Sequence, residues 1–188
     1  NNEVNSSFDL GGVLYDIDFS RSVRALSSHG VSLTEQDWSH GNTGDLLDRF
    51  EKGLISTEVF LNTIRQRAHR HVTLVQVREA CCALLVGFRA ERIELLQSLK
   101  QRYNLFLLSN TNEMHIKHVN EELTRDFSVG NLQQLFTHAY YSYDLQIPAS
   151  PPLSQIPFLI KHQFFSILVI QEIKIQYFIL IMFILDRL

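Results

Sequence analysis

The chain has 188 residues, of which 45% are apolar and 20% are charged. This composition is typical of a globular domain and excludes collagen, a coiled coil and a disordered chain of low hydrophobicity. Seventeen lysines and arginines against twenty aspartates and glutamates give a formal net charge of −3, which argues against binding nucleic acid through a basic surface. The two cysteines, Cys81 and Cys82, are adjacent, which favours neither a disulfide framework nor a CxxC metal site and indicates a reducing, cytoplasmic location.

Apolar patterns in residues 1–147 alternate between those of strands and those of helices. Ser20 and Ser56 are predicted to begin helices, and Gly30 and Gly53 to follow helix ends. In chain order the pattern predicts a strand end and glycine-rich turn at 8–14, helices at 20–30, 43–52, from 56 onward, 74–86 and 89–102, a strand at 104–108, a helix from 111 or 112 to about 123, and a strand at 139–143. Strands separated by helices predict an α/β fold with a parallel sheet.

Residues 148–188 differ in composition from the rest of the chain. All eight glycines lie at or before Gly130, whereas residues 164–185 form a near-continuous apolar run in which Glu172 and Lys174 are the only charges. Three interpretations stay open. The run is a membrane span, which the two central charges argue against; it forms two buried strands, 166–170 and 176–185; or it is a translated AT-rich intron or shifted reading frame.

Two polar motifs follow predicted strands, at the position where parallel sheets bind ligands. Asp9 precedes Gly11 and Gly12, and a carboxylate there is suited to attack phosphorus or to bind Mg²⁺. Ser109 and Asn110 follow the strand 104–108, and their hydroxyl and amide groups are suited to hold phosphate oxygens. Each motif alone is also ordinary turn or helix-cap chemistry.

In this order, with a helical segment between them, the motifs resemble those of the haloacid dehalogenase-like (HAD) hydrolase superfamily. Residues 8–14 resemble its first motif and 106–112 its second, while 16–19 and 50–56 resemble the branch of glucose-1-phosphate phosphatase-like sugar phosphatases. The resemblance covers residues 8 to about 147. It implies a Rossmann-like parallel-sheet core (1–16 and 88–147) with a small helical cap inserted at 17–87, and it leaves 148–188 as an aberrant apolar tail.

The resemblance also implies an activity, that of a Mg²⁺-dependent phosphomonoesterase acting on a small phosphorylated metabolite such as a sugar phosphate. Asp9 would form an aspartyl-phosphate and would bind Mg²⁺ together with the backbone carbonyl of Gly11. Ser109 and Asn110 would hold the transferring phosphoryl group.

The chain departs from the superfamily's pattern at three points. Gly11 stands where most phosphatases of the superfamily have a second aspartate, although the sugar-phosphatase branch also has glycine there. Residues 146–150 lack the lysine expected after the third strand, and the acidic pair of the fourth motif is not recognisable, Glu172 being the only strand-end acid available. Because phosphoryl transfer depends on cations around the phosphoryl oxygens, an alternative stays open: a catalytically inactive, truncated or mispredicted HAD-like protein, or a binding module.

Other candidate residues carry weaker signals. His115 and His118 are three residues apart on a predicted helix, where solvated histidines are a simpler interpretation than metal ligands. Trp38 and His40 lie in the predicted cap, where contact with substrate is an alternative to packing.

Overall fold

The computed structural model describes residues 5–32 and 45–145. The strands are β1 (Asn5–Phe8), β2 (Tyr15–Ile17), β3 (Leu85–Phe88), β4 (Asn104–Ser109) and β5 (His138–Tyr141). The helices are α1 (Phe19–Ser28), α2 (Asp45–Glu51), α3 (Thr57–Gln66), α4 (Leu74–Cys82), α5 (Ala90–Lys100), α6 (Glu113–Phe127) and α7 (Ser142–Leu145), with a 3₁₀ helix at Leu132–Leu135.

Several sequence predictions concern residues outside the described ranges. These are the cap residues Trp38 and His40, the acidic residue Glu172, and the apolar run 164–185 with its proposed strands or membrane span. Across 5–32 and 45–145, no helix has both the length and the apolar character that crossing a membrane requires.

A parallel sheet with the order β1-β4-β5 forms the centre of the fold, which confirms the predicted α/β class. In the register, Phe8 lies beside Leu107, and Ser109 lies beside Tyr141. Leu105 and Leu107 of the middle strand are fully buried on one face of the sheet, and Leu108 is buried on the other, as expected for a parallel strand covered on both faces. Helices α5 and α6 contribute to the same apolar cluster through Ile93, Leu96, Ile116, Val119 and Leu123.

A second, antiparallel sheet pairs β2 with β3, and this pair was not predicted from the sequence. The predicted helix 74–86 was too long, because α4 ends at Cys82 and Leu85 begins β3. A short apolar run such as 84–86 fits a buried helix or a strand equally well, so the choice depends on pairing with β2. Gly87, at φ 144°, adopts a backbone conformation that side chains disfavour within this strand.

The four helices α1 to α4 lie between β2 and β3 in the chain and share a second apolar cluster. Phe50 of α2 and Phe60 of α3 stack with ring centroids 4.3 Å apart. The buried Ser22 hydroxyl of α1 donates to the Cys81 carbonyl at 2.9 Å and accepts from the Leu84 N–H at 2.8 Å. The helical segment is thus held together at its entry and its exit, while the division into cap and core stays a prediction.

Helix starts agree with the predicted caps in two of three cases. Ser56 caps α3, as predicted, and Asn112 caps α6, which decides between the two predicted candidates, Thr111 and Asn112. Asp18 rather than Ser20 caps α1, because the Asp18 carboxylate accepts from the Ser20 N–H at 2.9 Å. The strand predicted at 139–143 ends earlier, at Tyr141, because the chain turns there into α7.

Candidate active site

Asp9 is the first residue after β1, and the turn that follows holds it in place. The Leu10 N–H donates to Asp9 Oδ1 at 2.7 Å. The Gly12 N–H donates to the Tyr15 carbonyl at 2.9 Å, and the Tyr15 N–H donates to the Leu10 carbonyl at 2.9 Å. Gly12 has φ 76°, a conformation that favours glycine, so the sequence after Asp9 is matched to this tight turn.

Ser109 ends β4, the strand next to β1, and Asn110 follows it on the exposed side of the loop. Because Phe8 pairs with Leu107, Asp9 and Ser109 emerge at the same edge of two strands about 4.8 Å apart. The structure therefore places both residues at the same end of adjacent strands, where Asp9 is predicted to attack phosphorus and Ser109 to hold the phosphoryl group. Their chemical roles stay predictions.

The loop after β4 is fixed by contacts on both sides. The Thr111 N–H donates to Ser142 Oγ at 3.0 Å, and the Ser142 hydroxyl donates to the Thr111 carbonyl at 2.9 Å. The buried Asn112 side chain accepts from the His115 N–H at 3.0 Å and so begins α6. Sequence reasoning named Thr111 and Asn112 but missed Ser142, which is 31 residues away in the chain.

Two hydrogen bonds join the helical segment to the core. One reaches the loop after β4, and the other reaches the start of α6. Asn110 Nδ2 donates to Glu51 Oε2, at the end of α2, at 3.1 Å. The Thr57 hydroxyl at the start of α3 donates to Glu113 Oε2 at the start of α6, also at 3.1 Å. Sequence reasoning missed Glu51 and Glu113, although the motif 50–56 marked the region.

Gly53, between α2 and α3, packs directly against the backbone of α7. A Cβ at this position would lie 2.2 Å from the Tyr143 carbonyl oxygen, and φ is 67°, so the close approach requires glycine. Burial, followed by the charges of Asp144 and Glu113, raises the pKa of Tyr143 to about 12. Burial and the charge of Glu113 also raise the pKa of Asp144 above its usual range.

Asp9 and Gly11 are the residues predicted to bind Mg²⁺. No three His, Cys, Asp or Glu side chains gather into a metal-binding group within the described ranges. Mg²⁺, however, usually keeps several waters and binds one or two carboxylates together with substrate phosphate. One carboxylate and one backbone carbonyl on the same turn fit that shared mode of binding, and Glu172 lies outside the described residues.

His115 is not the solvated histidine that the sequence predicted. It lies on the side of α6 facing α4, its Nε2 is inaccessible to solvent, and its Nδ1 is 3.1 Å from Asn112 Nδ2. Burial lowers the pKa of His115 to about 4, an effect that the Cys81 backbone opposes only in part. His118 is exposed. The two histidines therefore differ in environment and do not form a metal site.

The chain is similar in sequence to a sugar-alcohol phosphatase. No family model matches it. It is 25% identical over 108 residues to a D-ribitol-5-phosphate phosphatase from Bacteroides thetaiotaomicron, a stretch that is 57% of this chain and 52% of that protein. The chain thus spans about half the length of this curated relative.

The chain is also similar in fold to solved structures of HAD family enzymes. A HAD family enzyme from Bacteroides thetaiotaomicron, in complex with magnesium and inorganic phosphate, has a TM-score of 0.70 and 28% identity, over 85% of this chain and 77% of that one. A predicted HAD-like family hydrolase from Porphyromonas gingivalis has a TM-score of 0.66 and 26% identity, over 84% of this chain and 75% of that one.

Proposed function

Because the chain belongs to the haloacid dehalogenase-like hydrolase superfamily, we propose that it is a phosphomonoesterase that acts on a small phosphorylated metabolite. One observation carries the proposal: Phe8 lies beside Leu107 in the parallel register, so Asp9 and Ser109 follow at the same end of adjacent strands. A carboxylate next to hydroxyl and amide donors is the set of groups that transfer of a phosphoryl group through a covalent aspartate requires.

In the proposed reaction, a carboxylate oxygen of Asp9 attacks phosphorus, and the bond from phosphorus to the substrate's alcohol oxygen breaks. The leaving oxygen takes a proton from a water molecule, since Gly11 offers no acid. The hydroxide that remains attacks phosphorus and cleaves the aspartyl-phosphate, which releases hydrogen phosphate and restores the Asp9 carboxylate. Ser109 and Asn110 donate hydrogen bonds to the phosphoryl oxygens throughout. Mg²⁺ held by Asp9 and the Gly11 carbonyl would supply positive charge at the phosphoryl group.

The turn after Asp9 and the loop after Ser109 contribute by keeping the reacting groups aligned. Backbone hydrogen bonds at Gly12 and Tyr15 fix the turn after Asp9. The hydrogen bond from the Thr111 N–H to Ser142 fixes the loop after Ser109. Alignment of this kind lowers the cost of reaching the transition state, because the groups need not be ordered during the reaction.

The substrate we propose is a sugar phosphate or a sugar-alcohol phosphate, and the segment 17–87 is the cap that contacts it. The similarity to a D-ribitol-5-phosphate phosphatase supports this choice. The contacts that Glu51 and Thr57 make with the loop after β4 and with α6 support a cap that closes over the core.

The proposal predicts that replacing Asp9 by asparagine abolishes turnover. With p-nitrophenyl phosphate and Mg²⁺, we expect kcat of Asp9→Asn to fall by about 10³-fold or more, because an amide is not a nucleophile toward phosphorus. Removal of the metal with EDTA should give a similar loss, and added Mg²⁺ should restore the rate.

Asp126→Asn is the matched control, since this exposed carboxylate at the end of α6 pairs with Arg125 and lies outside the proposed site. Its rate should equal that of the unmodified chain. Equal rates for Asp9→Asn and the unmodified chain would instead favour the alternative of a catalytically inactive protein.

A further inference from the structure

We propose that Glu51 selects substrates whose leaving group is neutral and rich in hydroxyls over substrates whose leaving group carries a carboxylate. The inference rests on the proposed phosphatase function and names the residue that sets its substrate class. It starts from the hydrogen bond that Asn110 Nδ2 donates to Glu51 Oε2 at 3.1 Å.

Glu51 lies within reach of a substrate held at the loop after β4. Asn110 is a proposed donor to the phosphoryl oxygens, and the Glu51 carboxylate lies one hydrogen-bond length from the Asn110 amide. We infer that the alcohol portion of a small phosphate ester, which continues from the phosphoryl group, comes within reach of this carboxylate. Glu51 is half-buried, which makes its interaction with a bound substrate stronger than that of a fully solvated carboxylate.

The chemistry of an ionised carboxylate decides which leaving groups it favours. It has acceptor oxygens and no donor, so it can accept hydrogen bonds from substrate hydroxyls, and such charge-assisted bonds are stronger than neutral ones. A carboxylate on the substrate offers no donor and is repelled. Repulsion of the phosphoryl group by Glu51 is common to both kinds of substrate and cancels when the two are compared.

Two neighbouring carboxylates have the same sign of charge as Glu51. Glu113 begins α6, three residues after Asn110, and its charge contributes to the raised pKa of Asp144 on α7. We expect the charges of Glu113 and Asp144 to add to the repulsion of an anionic leaving group by Glu51.

The position of Glu51 is set by the packing around it. The Thr57 hydroxyl bonds to Glu113, Gly53 is in contact with the Tyr143 carbonyl, and Phe50 stacks on Phe60. These contacts hold the end of α2 at the loop after β4. Glu51 therefore has a defined position, from which it can select among leaving groups.

The test compares two phosphates that differ at one carbon, ribitol 5-phosphate and 5-phosphoribonate, in which a carboxylate replaces the terminal CH₂OH. We expect the ratio of their kcat/KM values to favour ribitol 5-phosphate in the unmodified chain, and to fall by about tenfold in Glu51→Gln, where the charge is lost and the shape is kept. Binding of both compounds to Asp9→Asn and to Asp9→Asn/Glu51→Gln, measured by calorimetry, should show the same change in ratio.

Asp48→Asn is the control, because it removes a charge from the exposed side of the same helix, where Asp48 pairs with Lys52. Its ratio should equal that of the unmodified chain. If Glu51→Gln is active and its ratio of kcat/KM values is unchanged, the role proposed for Glu51 is wrong, whereas the proposed phosphatase function is unaffected. If the unmodified chain neither binds nor hydrolyses any of the phosphates, the proposed function fails and the role of Glu51 fails with it.

Discussion

His115 shows how far the surroundings of one side chain can shift its chemistry. Two histidines on the same helix, three residues apart, have opposite environments, since His118 faces solvent and His115 faces α4. Burial penalises the charged imidazolium, and this lowers the pKa of His115 to about 4. A group whose pKa is lower in the folded state binds protons more readily in the unfolded state, so its effect on stability depends on pH.

We expect the free energy of unfolding to decrease as the pH falls from about 6.5 to about 4, because the unfolded chain takes up a proton at His115 over this range and the folded chain does not. The loss of unfolding free energy that one such group causes at low pH is at most about 3 kcal/mol, and above pH 7 the group causes no loss. Urea unfolding at a series of pH values would measure it. His115→Leu should flatten the dependence over this range, and His118→Leu should leave it unchanged; the same slope in both variants would contradict the assignment.

At the scale of secondary-structure elements, Glu122 of α6 joins the two strands that lead into and out of the helical segment. The carboxylate is buried; its Oε2 accepts from the Tyr15 hydroxyl of β2, and its Oε1 accepts from the Phe88 N–H of β3 at 2.9 Å. The Tyr15 and Phe88 rings meet edge to face with centroids 4.7 Å apart. A Cβ at Gly87 would lie 3.1 Å from Glu122 Oε1, so the strand passes closely over this carboxylate.

Removal of the Tyr15 hydroxyl should therefore destabilise the fold. Tyr15→Phe leaves a buried carboxylate with one fewer hydrogen bond, which we expect to lower the free energy of unfolding by about 2 kcal/mol. Burial and then the bond to Glu122 raise the pKa of Tyr15, in agreement with a hydroxyl held in its protonated form. Tyr103→Phe, at an exposed position, should change stability by less than about 0.5 kcal/mol in the same urea titration. Equal losses in the two variants would show that Glu122 does not act through Tyr15.

At the scale of the whole molecule, the sheet has an open edge in the part of the chain that the structure describes. There, β1 pairs with β4 on one side and has no partner on the other. Unpaired backbone groups along a strand edge promote pairing with other chains, and β1 also carries Asp9 at its end. The edge is thus adjacent to the proposed site.

A fragment ending at residue 147 should consequently self-associate. Sedimentation velocity over a range of concentrations should show an average mass that rises with concentration. Ser7→Lys, a charge at an exposed position of β1, should reduce this association, whereas Ser98→Lys on the exposed side of α5 should not. A fragment that stays monomeric at all concentrations would contradict the prediction.

Sequence alone was sufficient to predict the α/β class, the parallel arrangement of the central strands and the positions of Asp9 and Ser109 at strand ends. These properties depend on local information: the spacing of apolar residues, the glycines after Asp9, and capping residues such as Ser56 and Asn112. Even here one cap was misassigned, because Asp18 and Ser20 are both good capping residues within one turn.

Only the tertiary structure decided which distant groups meet. The β2–β3 pair, the bond from Asn110 to Glu51 across 59 residues and the bond from Tyr15 to Glu122 across 107 residues have no periodic signal in the sequence. The physical reason is that apolar periodicity reports which face of an element is buried, whereas the partner of a polar side chain depends on how the chain returns to the same place.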